Sequence, residues 1–188
     1  MIKIGLTGSI ASGKTTASKI LSKKKGPLFN ADKVVKQLYK KISFKKTISK
    51  TFNLKLDSNL QKNLKIKILQ NNKNLKKLET IVHPLVRKEM LRFTKIYRNK
   101  KILFFEIPLL VESRLSSYFD LIILIKSSKF LRLKRYKLKK KNVQLFNLLD
   151  KKQMHEDKKM KYCDHIVVNN KSLSILKIKL FNIIKLYE

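Results

Sequence analysis

The stretch MIKIGLTGSIASGKTT, residues 1–16, contains an apolar run from Ile2 to Thr7, then Gly8-Ser9-Ile10-Ala11-Ser12-Gly13-Lys14-Thr15, then a helical pattern from Thr16 to Lys23. The central eight residues fit the phosphate-loop pattern, and a strand before and a helix after supply the context that this motif needs. In such a loop the backbone amides point inward around phosphate oxygens, and the helix that follows presents its positive end to the same anion. Lys14 then reaches the β- and γ-phosphates of a nucleotide, and the Thr15 hydroxyl is the expected ligand of Mg²⁺. The expected nucleotide contacts are Gly8, Ala11, Ser12, Gly13, Lys14, Thr15 and Thr16. Glycine occurs at only four positions, 5, 8, 13 and 26, and two of them fill the obligatory places of the motif.

Working outward, further short apolar runs occur at Pro27 to Ala31, Ile102 to Ile107, Leu121 to Ile125 and Ile166 to Val168. Strands of this kind separated by helical stretches indicate a parallel sheet covered on both faces. DLIILIK (120–126) is apolar at consecutive positions, as a doubly buried strand requires. Between the second and third strands lies a long stretch with almost no strand signal, in which Leu54, Leu56, Leu60, Leu64, Ile68 and Leu69 and then Leu75 through Phe93 follow helical spacing. The fold expected is α/β, a P-loop NTPase fold of the nucleoside-monophosphate-kinase type with five parallel strands flanked by helices. The single domain divides into a core of residues 1–32 and 100–188, a helical substrate insert of about 33–99, and a lid of about 132–145. The charged run from Lys134 to Lys141 reads as a solvated lid or loop rather than core.

The balance of 46 basic against 12 acidic residues leaves a formal charge of +34, yet only six of the basic residues are arginine. A nucleic-acid-binding surface gathers its charge into a stripe with arginine and exposed aromatics. Here lysine is spread from end to end, which reads as compositional drift, so no specific nucleic-acid partner is expected. The single cysteine, Cys163, excludes an internal disulfide, and no cysteine and histidine spacing suggests a zinc site. No secretory signal and no long apolar segment is evident, so a cytoplasmic monomer without a membrane partner is expected.

The carboxylates are few enough to weigh singly. Asp32 follows the second apolar run in PLFNADKVV (27–35), at the carboxyl end of a strand, where open α/β sheets place active-site groups. It could take a proton from a substrate hydroxyl, help to hold Mg²⁺, or cap the helix that follows. GTPase recognition motifs that need a glycine are absent after position 26, and the third strand ends in isolated acids, Glu106 and Glu112, without the acidic pair of a motor ATPase. A small-molecule kinase remains.

Several segments together, in order and over nearly the whole chain, resemble the dephospho-coenzyme A kinase family. IGLTGSIASGKTT is similar to that family's phosphate loop, and Asn30-Ala31-Asp32 to its DAD motif, with Asn30 in place of the first acid. LDSNLQKNL (56–64) resembles DGxLxRxxL, with Ser58 for glycine and Lys62 for arginine; LETIVHPLVRKEM (78–90) resembles LExIxHPxVR; PLLVE (108–112) resembles PLLxE. In KFLRLKRYKLKKKNV (129–143) the family's lid arginines fall on Lys134 and Leu138 without a gap, while a small shift would use Arg132 or Arg135 instead. Gln153, Lys158, Asp164 and Asn169 match a final pattern that lies near the ATP base and ribose.

This resemblance implies transfer of the ATP γ-phosphate to the ribose 3′-hydroxyl of dephospho-coenzyme A, giving coenzyme A and ADP, with Mg²⁺ required. Asp32 would be the base, Lys14 and Arg132 or Arg135 would act on the transferring phosphoryl group, His83 and Arg87 would bind the acceptor, and Asn169 would contact the nucleotide. Another P-loop kinase acting on a nucleoside monophosphate, or a basic nucleic-acid-binding ATPase, are the alternative readings.

Overall fold

The computed structural model describes residues 1–139 and 142–188, the side chains of positions 72 and 152 excepted. Its five strands are β1 (Ile2–Thr7), β2 (Leu28–Asn30), β3 (Ile102–Glu106), β4 (Leu121–Lys126) and β5 (His165–Val168). They form one parallel sheet in the order β2-β3-β1-β4-β5, each run expected as a strand contributing one. The chain divides into two compact units, Met1–Asn30 with Thr94–Glu188, and Ala31–Phe93.

The sheet belongs to the first unit. Because alternate residues of a strand face opposite sides, β1 sends Ile4 and Leu6 to one face, where β4 adds Leu121, Ile123 and Ile125. Ala17 and Leu21 of α1 (Lys14–Lys25) and Leu176, Leu180 and Ile184 of α9 (Leu173–Lys185) cover that face. β3 is buried along its whole length, and the Phe105 ring packs against Phe29, Tyr118 and Phe119. This unit also carries α6 (Lys129–Leu138), α7 (Val143–Lys152) and α8 (Glu156–Met160), the last lying against β4.

The second unit is helical: α2 (Ala31–Leu38), α3 (Ile42–Phe52), α4 (Leu60–Gln70) and most of α5 (Asn72–Ile96). Leu38, Phe44, Ile48, Phe52, Leu60 and Leu64 form its core, with Leu78, Ile81, Val82 and Leu85 of α5 packed against them. Helix α3 lies where the leucine pattern had no entry, while Leu54 and Leu56 precede α4 rather than belonging to it. Pro84 sits inside α5 without ending it.

The charge-rich segment after Lys129 is also ordered differently from a loop. Helix α6 runs to Leu138 and buries Arg132 and Tyr136, the Tyr136 ring lying 5.4 Å from that of Phe146. Lys134 and Lys137 are exposed, so charge on one side of the helix masked burial on the other. Positions 140 and 141 of the segment expected as a lid lie outside the described residues.

Candidate active site

From β1 the chain passes to β2 and β3 on one side of the sheet, and β4 and β5 lie on the other. The carboxyl end of β1 is therefore the point at which strand order reverses, where open α/β sheets bind ligands. The segment Gly8–Gly13 occupies this end, and α1 starts at Lys14. Gly8 has φ 146° and Gly13 φ 104°, and a Cβ built on them would lie 2.3 Å from Ile125 O and 2.2 Å from Asn169 Nδ2. Both glycines are thus required by backbone conformation and by close approach. Ala11 has φ 59°, the left-handed region that an alanine enters only against its steric preference. Lys14 is nearly buried and its Nζ donates to Gly8 O at 2.6 Å and Ser9 O at 3.0 Å, which holds the ammonium over the loop.

Glu106 ends β3 in register with Asn30 of β2 and Leu6 of β1. Its carboxylate is 2% exposed and accepts from Thr15 Oγ1 at 2.5 Å, Ser18 Oγ at 2.8 Å and Asn30 Nδ2 at 2.6 Å. The Asn30 amide is thus a donor to this acid, where an Asp would oppose one carboxylate to another. The carboxylate and the Thr15 hydroxyl together offer hard oxygen donors at the base of the loop, which suits Mg²⁺, an ion that binds through one or two carboxylates and keeps several waters. Sequence reasoning counted Glu106 among the isolated acids and, through the family resemblance, set it at a position where many members have Asp, with a supporting role. The available signal was an acid as the last residue of a fully apolar strand.

On the other side the loop is fastened by side chains from the segment 127–169. Asn169 Nδ2 donates to Ser12 O at 2.8 Å, and Arg135 donates to Ser12 O, Ser127 Oγ and Asn169 O. Arg132 is buried, paired with Asp150, and donates from Nε to Ser127 O at 3.1 Å and from Nη1 to Ile10 O at 3.5 Å. Ser9 Oγ donates to Glu156 Oε1 at 2.7 Å, and Ile10 N to Gln153 Oε1 at 2.9 Å. Gln153 and Glu156 had not been placed at the loop by spacing, because they lie more than 140 residues away from it in sequence. Lys159, not Lys158, is the buried lysine of this region, 2.8 Å from Glu112 Oε1 as an ion pair. Glu112 Oε1 also accepts from Met154 N at 3.1 Å.

The sequence-predicted residues therefore fall into two groups. Gly8, Ala11, Ser12, Gly13, Lys14, Thr15, Thr16, Arg132, Arg135 and Asn169 all belong to the first unit, where every one except Arg132, Arg135 and Asn169 is in the loop or the first turn of α1. Asp32, His83 and Arg87 belong to the second. Asp32 is exposed in the first turn of α2, two residues beyond the Asn30 that contacts Glu106. His83 is half-buried and Arg87 exposed, one turn apart on α5, which puts them on the same face of that helix. Among the described residues, no group of three or more His, Cys, Asp or Glu is placed to hold a metal ion, and no helix is long and apolar enough to cross a membrane.

Residues 2–174 match the model of the family described as dephospho-CoA kinase. The dephospho-CoA kinase of Fusobacterium nucleatum is 36% identical over 181 residues, which cover 92% of each chain. Among solved structures, dephospho-CoA kinase from Campylobacter jejuni superposes with a TM-score of 0.69 at 26% identity, over 97% of this chain and 95% of that one. A Thermus thermophilus protein, TT1252, superposes with a TM-score of 0.87 at 24% identity, over 100% and 98% of the two chains, which shows a common fold. A phosphate loop at the switch point of a five-stranded parallel sheet, with this family match over nearly the whole length, places the chain in the dephospho-CoA kinase family, transferases that phosphorylate dephospho-CoA with ATP in coenzyme A biosynthesis.

Proposed function

We propose that the phosphoryl group goes to the ribose 3′-hydroxyl of dephospho-CoA and that the side chains divide the work as follows. The amides of Gly8 to Thr16 and the Lys14 ammonium hold the β- and γ-phosphates of ATP, so the donor is fixed by a loop that is already shaped. Thr15 and Glu106 would hold Mg²⁺. When bound, the ion neutralises charge on the phosphate oxygens. The observation that carries this reading is the buried Glu106 carboxylate joined to Thr15, the residue next to the phosphate-binding lysine.

Asp32 accepts the proton of the acceptor hydroxyl. Its support is its place in the chain: it comes two residues after Asn30, which ends β2 in register with Glu106. His83 and Arg87 hold the acceptor, Arg87 with a guanidinium fork suited to its phosphates. Of the two candidate arginines, Arg135 is the one assigned to the transferring phosphoryl group, since it touches the loop at Ser12 O. Arg132 is engaged by Asp150 and acts by bracing the loop. The segment 132–145 serves as the lid, Asn169 secures the nucleotide side of the loop, and the enzyme works as a cytoplasmic monomer.

The test is a pair of measurements on Asp32→Asn. Formation of coenzyme A falls by at least about a hundredfold while ATP affinity stays within about twofold of wild type, as expected for loss of a general base. Coenzyme A formation at the wild-type rate would remove Asp32 from the chemistry.

A further inference from the structure

Residue 10 of the phosphate loop has both of its backbone polar groups taken by side chains from outside the loop. Its N–H donates to Gln153 Oε1 at 2.9 Å, and its carbonyl accepts from Arg132 Nη1 at 3.5 Å. The next residue, Ala11, is the one non-glycine residue between Gly8 and Gly13 with positive φ, at 59°. An L-residue leaves that conformation unless its surroundings hold it there. The N–H belongs to the peptide between residues 9 and 10 and the carbonyl to the peptide between residues 10 and 11, so the two peptide planes that lead into Ala11 are both held and its escape by rotation is opposed.

Gln153 is itself held. It closes α7 with its N–H on Asp150 O, and Asp150 is the partner of Arg132. Met154 N donates to Glu112, and Glu156, one turn on, accepts from Ser9 Oγ. The acceptor oxygen that meets Ile10 is therefore carried by a segment with three other anchors. Successive N–H groups in alternating right- and left-handed conformations form an anion-binding concavity, and Ala11 supplies a left-handed step of this one, as Gly13 does. Gln153 Oε1 is spent on the loop, so the side chain acts through the loop's shape.

We propose that Gln153 is a positioning residue for the phosphoryl donor, which keeps Ala11 in its left-handed conformation by gripping the Ile10 amide, with Arg132 on the other side of the same residue. This rests on the reading that residues 8–16 hold the ATP phosphates.

The test is a double-mutant cycle between Gln153 and Ala11, read as the KM for ATP, the KM for dephospho-CoA and kcat, with the thermal midpoint recorded for each variant. Gln153→Ala raises the KM for ATP by about tenfold, the expected effect of one lost hydrogen bond, and leaves the KM for dephospho-CoA within about twofold. Gln153→Met, which keeps the volume and removes the acceptor, does the same. Glycine enters the left-handed region without a steric penalty, so in the Ala11→Gly background the further cost of Gln153→Ala shrinks to less than about threefold. The proposal is overturned if Gln153→Met restores the wild-type KM, if the cost of Gln153→Ala is the same in both backgrounds, or if both KM values rise together with a lowered thermal midpoint. Lys14→Ala serves as the reference: wild-type ATP affinity in that variant would remove the phosphate-loop reading and the proposal with it. Lost affinity there with a silent Gln153→Ala would remove the proposal alone.

Discussion

Glu106 concentrates three donors, from Thr15, Ser18 and Asn30, on one buried carboxylate. Glu106→Gln keeps the shape but turns an NH₂ group toward those donors, and outer-shell changes of this kind cost about 10- to 100-fold in metal affinity or activity. The expected result is a fall of that size in coenzyme A formation, together with a rise in the Mg²⁺ concentration needed for half-maximal rate, measured by metal titration after chelation. Cys163 offers a check on the turn between α8 and β5. Burial, with the Asp164 carboxylate adding to it, pushes its thiol up to about 11, so thiolate is scarce near neutral pH. Alkylation by iodoacetamide at pH 8 is expected to run at least about tenfold slower in the native protein than in urea, with the difference shrinking as pH rises through 11. At this scale the sequence was readable where chemistry is local. Gly8, Gly13, Lys14 and Thr15 fall within one short motif and announce themselves, whereas the contacts of Glu106 need the register of β3 beside β1 to be seen.

The strands were legible because a doubly covered parallel sheet demands consecutive apolar residues, and runs such as LIILIK have no other economical explanation. Helix α3 was not, since ISFKKTISKTF contributes only Phe44, Ile48 and Phe52 to the core and its lysines blur the period. Truncating Ile48 to Ala should cost about 2–5 kcal/mol in the stability of the helical unit, measured by urea unfolding, because the residue is fully buried among Leu38, Phe44 and Leu60. Helix α6 shows the converse difficulty. Its composition resembles a solvated loop, but Arg132 is an interior residue that requires Asp150 of α7. A similar pair, Glu112 with Lys159, ties the segment after β3 to α8, and Lys159 is fully buried. Glu112→Ala leaves that ammonium without its partner and should destabilise the protein by about 3–5 kcal/mol, while replacing both residues by methionine should cost clearly less. Equal losses in the single and double variants would contradict the account of this pair.

Across the whole molecule the dominant feature is charge, +34 in a chain of 188 residues, and the nucleotide chemistry uses only Lys14 and a few arginines of that total. The remaining lysines are distributed over both units, so polyanions should be attracted without a specific site. Binding to homopolymer RNA is expected to be lost between about 50 and 200 mM salt, with no stimulation of ATP hydrolysis at any salt. RNA-stimulated hydrolysis would show that the charge has a use. The division into a sheet unit and a helical unit follows the change from strand periodicity to helical periodicity after Asn30, but the chain's charge carried no information about where the site lies. The most direct test of the central claim is the position of the transferred phosphate. Purified protein incubated with ATP, Mg²⁺ and dephospho-CoA at high salt should give one product whose NMR spectrum shows a new phosphate ester on the ribose 3′ oxygen, with ADP in equal amount. ADP formed without that product, or a phosphate on any other position, would contradict it.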